Sequence, residues 1–199
     1  MKNLTTNKKA MSTKTLVMYA LLTAIVVVLQ LIAEFMPKVG PCSLSFVLVP
    51  IVIGSALCDW KAGAWLGFVF ALVVLCCPST GFFYAFSVPA TIAIVILKGI
   101  ASGAISGLLF NLFKKKSRTF AAILAAIICP IVNTGIFILG CFAFFLPDLT
   151  VEAAKLGFEN AIALIFLGLA LFNFLFELIS NIILCPVIVR LLNIRKKQH

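Results

Sequence analysis

A chain of 199 residues that is 63% hydrophobic and only 11% charged, with a mean hydropathy of +1.22, is far more apolar than a water-soluble domain, whose apolar share is usually about half. Sixteen Lys and Arg against six Asp and Glu give a formal charge of +10. These values exclude a water-soluble domain, and the basic residues gather at polar breaks between apolar runs, where membrane topology and anionic lipid account for them without nucleic-acid binding.

About 20 mostly apolar residues are needed to cross roughly 30 Å of hydrocarbon, and several such runs follow one another here. The fold class expected is an all-α polytopic membrane bundle of six transmembrane helices. Residues 1–14 form a cytoplasmic N-terminal segment, 15–192 the transmembrane domain and 193–199 a basic cytoplasmic tail. Helix one is expected over residues 15–35; no small-residue cleavage pattern follows its long apolar run, so it reads as a span and not as a signal peptide. Helix two is short, over residues 44–57 with Pro50 inside, and a break at Cys58, Asp59, Trp60 and Lys61 leads to helix three over 62–77. Residues 78–87 read as an aromatic loop. Helix four occupies 88–113, the basic cluster Lys114, Lys115, Lys116 and Arg118 ends it, and helix five runs over 119–145. Residues 148–160 read as an acidic, amphipathic loop, and helix six covers 161–192.

Orientation follows from the basic residues. With the N-terminus inside, thirteen of the sixteen fall on the cytoplasmic side, Lys38 and Lys155 fall outside, and Lys98 lies within a span. Both termini are therefore expected in the cytoplasm.

The chemistry is narrowed by what the chain lacks. Seven cysteines are scattered through apolar segments with no CxxC pair, and the only histidine is His199, so no zinc or haem ligand set is visible and no cofactor is expected. No GxxxxGK[ST] loop is present, and no nucleophile with a base or paired carboxylate suggests catalysis. A non-enzymatic transporter, or a subunit of one, remains.

Polar residues inside the spans carry the functional signal. Lys98 lies about ten residues into helix four, some ~15 Å from its start, where an ammonium needs a cavity or a partner. Asn173, Glu177 and Asn181 repeat at i, i+4 and i+8 along helix six, while Asn133 and Thr134 interrupt helix five at a depth similar to that of Lys98. Two readings stand together: a ligand pocket, and a Lys98–Glu177 ion pair with the asparagines as interhelical glue. In the loop over residues 78–87, Phe82, Phe83, Tyr84 and Phe86 are placed to close over a planar ligand or to form an interfacial aromatic belt. Gly99, Gly103 and Gly107, with Gly63 and Gly67, form small-residue stripes that read as close helix packing. Ala20 and Ala24 repeat this spacing in helix one.

The chain resembles a family, the substrate-binding S components of energy-coupling-factor (ECF) transporters. The resemblance is carried by Ala20-Leu21-Leu22-Thr23-Ala24, similar to the AxxxA motif that docks S components on the coupling subunit; by the hairpin around Asp59-Trp60-Lys61-Ala62-Gly63; and by Lys98-Gly99-Ile100-Ala101-Ser102-Gly103 before a basic loop. It implies a six-helix capture protein in a prokaryotic cell membrane, binding a vitamin or related micronutrient for uptake driven by two partner ATPases through a membrane coupling subunit. The ligand site it implies is the outer half among helices four to six, covered by residues 36–43 and 78–87. The site residues expected are Lys98, Asn133, Thr134, Asn173, Glu177, Tyr84 and Phe86, with Ala20 and Ala24 for docking. The alternative is an autonomous secondary transporter or channel in which Lys98 and Glu177 relay ions.

Overall fold

The computed structural model describes residues 13–35 and 46–197; the expected N-terminal segment up to residue 12, the loop over 36–43, the start of helix two at 44–45 and residues 198–199 lie outside the described residues. Every regular element among the described residues is helical. In chain order these are α1 Thr13–Phe35, α2 Leu48–Leu57, α3 Trp60–Cys76, a 3-10 turn Pro78–Thr80, α4 Gly81–Tyr84, α5 Val88–Phe113, α6 Arg118–Gly140, α7 Leu146–Lys155, α8 Ala161–Ala163 and α9 Leu171–Lys197. Two π-helical stretches, Cys141–Phe145 and Leu164–Ala170, join α6 to α7 and α8 to α9.

Among the described residues, four helical stretches are long and apolar enough to cross a membrane: Thr13–Phe35, Val88–Phe113, Arg118–Lys155 and Ala161–Val187. A fifth is formed if α3 and the following Pro78–Tyr84 segment, bent by 74°, count as one span. The ten residues of α2 reach only about 15 Å, half the hydrocarbon thickness. Nine of them are nevertheless buried, so α2 is a core element and not a lipid-facing one. The molecule is an all-α polytopic membrane bundle.

Glycine decides how α3 meets α5. A Cβ on Gly67 or Gly63 would collide with the backbone carbonyl of Gly99 or Gly103, and a Cβ on Gly107 would lie 2.7 Å from the Trp60 Cα. Only glycine permits this approach, in which the two backbones touch directly. Ser102 and Ser106, both buried beside the stripe, return their hydroxyls to the carbonyls of Gly99 and Gly103 at 2.9 and 3.1 Å and leave no polar atom unpaired there.

Asp59 starts α3 by accepting the Ala62 N–H at 2.8 Å, and it also accepts the Tyr19 hydroxyl at 3.0 Å, which ties α1 to the α2–α3 turn. Trp65 Nε1 donates to Thr23 Oγ1 at 3.2 Å and repeats the tie one turn further along.

Two expected loops are helical. Residues 148–160 begin as α7: Pro147 occupies the first turn, where its missing N–H costs nothing, while Asp148 and Lys155 suit the two ends of the helix dipole. Leu149 and Ala153 are the face it buries. It stops at Gly157, whose φ of 78° allows the Phe158 N–H to return to the Ala153 carbonyl at 2.9 Å. Residues 78–87, expected as a loop, hold the 3-10 turn and α4.

The interior divides into two apolar cores. One, around Leu22, Ile51, Leu66, Phe110 and Ala122, lies toward the end of the bundle that carries the 114–118 basic cluster. The other, around Phe83, Ile94, Phe145, Leu149 and Leu164, lies toward the opposite, distal end. Most buried polar side chains of α1, α6 and α9 sit between them.

Candidate functional site

A cavity opens in this polar layer. The space it offers to the centres of water-sized groups is about 80 Å³, enough for several waters or one small molecule. Every element that lines it contributes from its distal half: Gln30 from α1, Phe70 and Val74 from α3, Ser79, Thr80 and Phe83 from the segment after α3, Thr91 to Lys98 from α5, Asn133, Thr134 and Phe137 from α6, Asn173 and Glu177 from α9. Both π stretches reach it as well, through Phe145 and through Leu169 and Ala170. A π turn rotates the following residues relative to a regular helix, and such turns are frequent where a helix must aim side chains at a site.

Five residues singled out in the sequence, Lys98, Asn133, Thr134, Asn173 and Glu177, come together on this cavity. Asn133 and Glu177 are each 2% exposed, and Asn133 Nδ2 donates to Glu177 Oε2 at 3.2 Å. Lys98 is half-buried with its ammonium 5.2 Å from the centre of the Phe137 ring. Among the described residues Lys98 and Glu177 form no ion pair with each other. A cation over an aromatic face is stabilised by about 0.5–2 kcal/mol, and this contact holds the ammonium at the cavity.

Tyr84 and Phe86 are not among the lining residues. The Tyr84 hydroxyl donates to the Leu75 carbonyl at 2.8 Å, fastening α4 to the end of α3. Phe86 stacks edge-on to Phe82 at 5.0 Å and packs against Phe145 at 5.9 Å. The aromatic residue of α4 that reaches the cavity is Phe83, buried against Phe137 at 5.5 Å. Thr91 Oγ1 holds this segment from below, within 3.0 Å of the Phe83 carbonyl and 2.7 Å of the Ser87 carbonyl.

Asn181, the third residue of the α9 stripe, serves packing: its Nδ2 donates to the Ala126 carbonyl of α6 at 3.1 Å. Ala20 and Ala24 lie away from the cavity, on the exposed face of α1 beside Leu16, Val17, Leu21 and Val28.

Sequence reasoning missed Gln30 and Glu34, although an amide and a carboxylate within an apolar helix are themselves the signal. Glu34 accepts the Ser79 N–H at 3.1 Å and the Ser79 hydroxyl at 2.8 Å, so the end of α1 is fixed to the turn that roofs the cavity. Gln30, 2% exposed, faces the cavity itself. Gln30 Oε1, Asn133 Oδ1 and Thr134 Oγ1 have no hydrogen-bond partner among the described residues. Left buried and unpaired, such an atom costs about 1–3 kcal/mol, and three of them line this cavity.

No curated protein and no solved structure matches the chain. A family model described as "ECF transporter, substrate-specific component" matches residues 14–189. That match runs from the start of α1 into α9 and takes in all the residues that line the cavity, and the chain belongs to the family of substrate-specific components of ECF transporters.

Proposed function

We propose that the chain captures a vitamin or related micronutrient from outside a prokaryotic cell and delivers it across the cell membrane, with uptake driven by two ATPase subunits through a membrane coupling subunit. The observation that carries this reading is the cavity: an ammonium, a carboxylate, carboxamides and a threonine hydroxyl enclosed within apolar helices, three of their polar atoms unpaired. A bundle that needed only stability would fill that space with apolar side chains. With both termini in the cytoplasm, the distal end faces outward and the cavity lies in the outer half of the membrane. Substrate enters past the segment over residues 78–87, and Phe83 closes against it. Ala20 and Ala24 offer the coupling subunit a smooth exposed face on α1, toward the end that carries the basic cluster. Hydrolysis of ATP takes place in the partners, since this chain has no phosphate-binding loop.

The test is co-purification from native membranes. An affinity-tagged chain is expected to bring down a membrane coupling subunit and ATPase subunits, and proteoliposomes of the complex are expected to accumulate substrate only with ATP. Uptake by the isolated chain along an ion gradient, with no partner bound, would overturn the reading.

A further inference from the structure

Gln30 adds a carboxamide from α1 to the cavity lining, beside the residues that the sequence singled out on α5, α6 and α9. Its Nε2 lies 4.0 Å from the Cys77 sulfur, and its Oε1 has no partner among the described residues. Asn133 repeats the arrangement on α6. A carboxylate only accepts, so the Asn133 atom facing Glu177 is Nδ2, and Oδ1 is the atom left over. Ser79 and Thr91 line the same cavity with their hydroxyls satisfied, and the unpaired Thr134 hydroxyl can donate as well as accept, which leaves Gln30 Oε1 and Asn133 Oδ1 as the unpaired acceptor-only atoms of the lining among the described residues.

Carbonyl oxygens of amides accept and never donate, so these two call for N–H or O–H groups on whatever binds. The Lys98 ammonium has no hydrogen bond or ion pair among the described residues and calls for an anion. One ammonium, on a wall shared with the Glu177 carboxylate, suits a monoanionic carboxylate; a phosphate dianion needs more positive charge than this cavity holds. Val74, Ile94, Val95 and Leu169 supply apolar contact for a short carbon skeleton.

We infer that the cavity takes a small carboxylic acid that also carries at least two hydrogen-bond donors, its carboxylate on Lys98 and its donors on Gln30 Oε1 and Asn133 Oδ1, with Gln30 a specificity-determining residue. This rests on the substrate-capture reading above and narrows the substrate class within it.

The probe is a low-molecular-weight filtrate of yeast extract, applied to the full chain purified in detergent and read by native mass spectrometry and thermal unfolding. Untreated filtrate is expected to leave a small-molecule adduct and raise Tm. Filtrate whose carboxyl groups have been methyl-esterified, and filtrate whose amines and hydroxyls have been acetylated, are each expected to do neither. Gln30→Leu is expected to raise the half-saturating amount of filtrate by about tenfold or more, the scale of one lost hydrogen bond to a bound group. In the absence of filtrate, Gln30→Leu is expected to match or exceed the parent Tm, because it deletes an unpaired buried oxygen; a packing role for Gln30 predicts a lower Tm. The inference is overturned if esterified or acetylated filtrate acts as strongly as untreated filtrate, if no adduct forms, or if Gln30→Leu binds as the parent does. Co-purification with the coupling and ATPase subunits is scored separately, so loss of the substrate class does not count against the transporter reading.

Discussion

Asn133 on α6 and Glu177 on α9, 44 residues apart in sequence, meet at the cavity wall through a single bond, Asn133 Nδ2 to Glu177 Oε2 at 3.2 Å. One amide thus performs two tasks, orienting the carboxylate with its nitrogen and presenting its oxygen to the cavity. The two residues are expected to be energetically coupled. In a double-mutant cycle of Asn133→Leu and Glu177→Gln, the interaction energy should reach about 1 kcal/mol, above the usual value for neutral interhelical bonds in membranes. Strictly additive effects on unfolding in detergent would show that the contact carries no stability.

Lys98→Met keeps the length and bulk of the side chain while removing the charge. Substrate binding should weaken by about 2 kcal/mol or more, the scale of a charge-assisted hydrogen bond, with little loss of fold stability, because the ammonium rests on the Phe137 ring and not on a carboxylate. Affinity and Tm measured on Lys98→Met, Glu177→Gln and the double mutant check this. Full-affinity binding by the double mutant would remove Lys98 from the site.

The α4 segment supplies an internal comparison. Phe83→Ala removes a ring that lines the cavity and should cost binding about tenfold or more. Tyr84→Phe removes only the bond to the Leu75 carbonyl and should leave binding within about threefold while loosening the segment by ~1 kcal/mol. Hydrogen exchange over residues 78–87 should slow on saturation with substrate in both the parent and Tyr84→Phe. Equal binding losses in the two variants would show that the whole segment, and not Phe83, contacts the ligand.

Ala20→Trp and Ala24→Trp place a large ring on an exposed face remote from the cavity. Each should abolish ATP-driven uptake by the complete transporter while the isolated protein still binds substrate. Transport that survives both substitutions would move the docking surface off α1.

Gly67→Ala and Gly135→Ala are chemically the same change. At Gly67 the added methyl falls on the Gly99 carbonyl and should cost about 3 kcal/mol or more by forcing α3 from α5, whereas at Gly135 nothing lies within 4 Å and the effect should stay within ~1 kcal/mol. Thermal unfolding of both variants in one detergent checks the contrast.

Much of this architecture is legible in residue order, for reasons that can be named. The limits of α5, Val88 to Phe113, follow from Pro89 at one end and the lysine cluster at the other, and the glycine stripe inside it announces its contact with α3. Five polar residues on three helices were readable as one site because charge and amide are costly in hydrocarbon wherever they occur. The π stretches were not legible, since a change of helical pitch leaves no mark in hydropathy, and α7 read as a loop because Pro147 resembles a helix breaker when its neighbours are unknown. Gln30 escaped because α1 was read for its exposed alanines, while the amide sits on the opposite, buried face. Phe83 was indistinguishable from Tyr84 and Phe86 until the 74° bend after α3 fixed which ring turns inward.

The backbone contact between α3 and α5 has a consequence for how such a protein changes its diet. Lys98 precedes Gly99, one of the residues at which the two main chains touch, so the ammonium at the cavity is mounted on a joint with no room for a Cβ. Little ordering is left to be done at that point when a ligand arrives, which favours affinity. The residues proposed to sort one molecule from another, Gln30 on α1 and Asn133 on α6, stand on helices outside that joint. On that proposal, selectivity can be rewritten by exchanging side chains there, while the glycine-lined strut and its lysine stay as a constant anchor for the acid group.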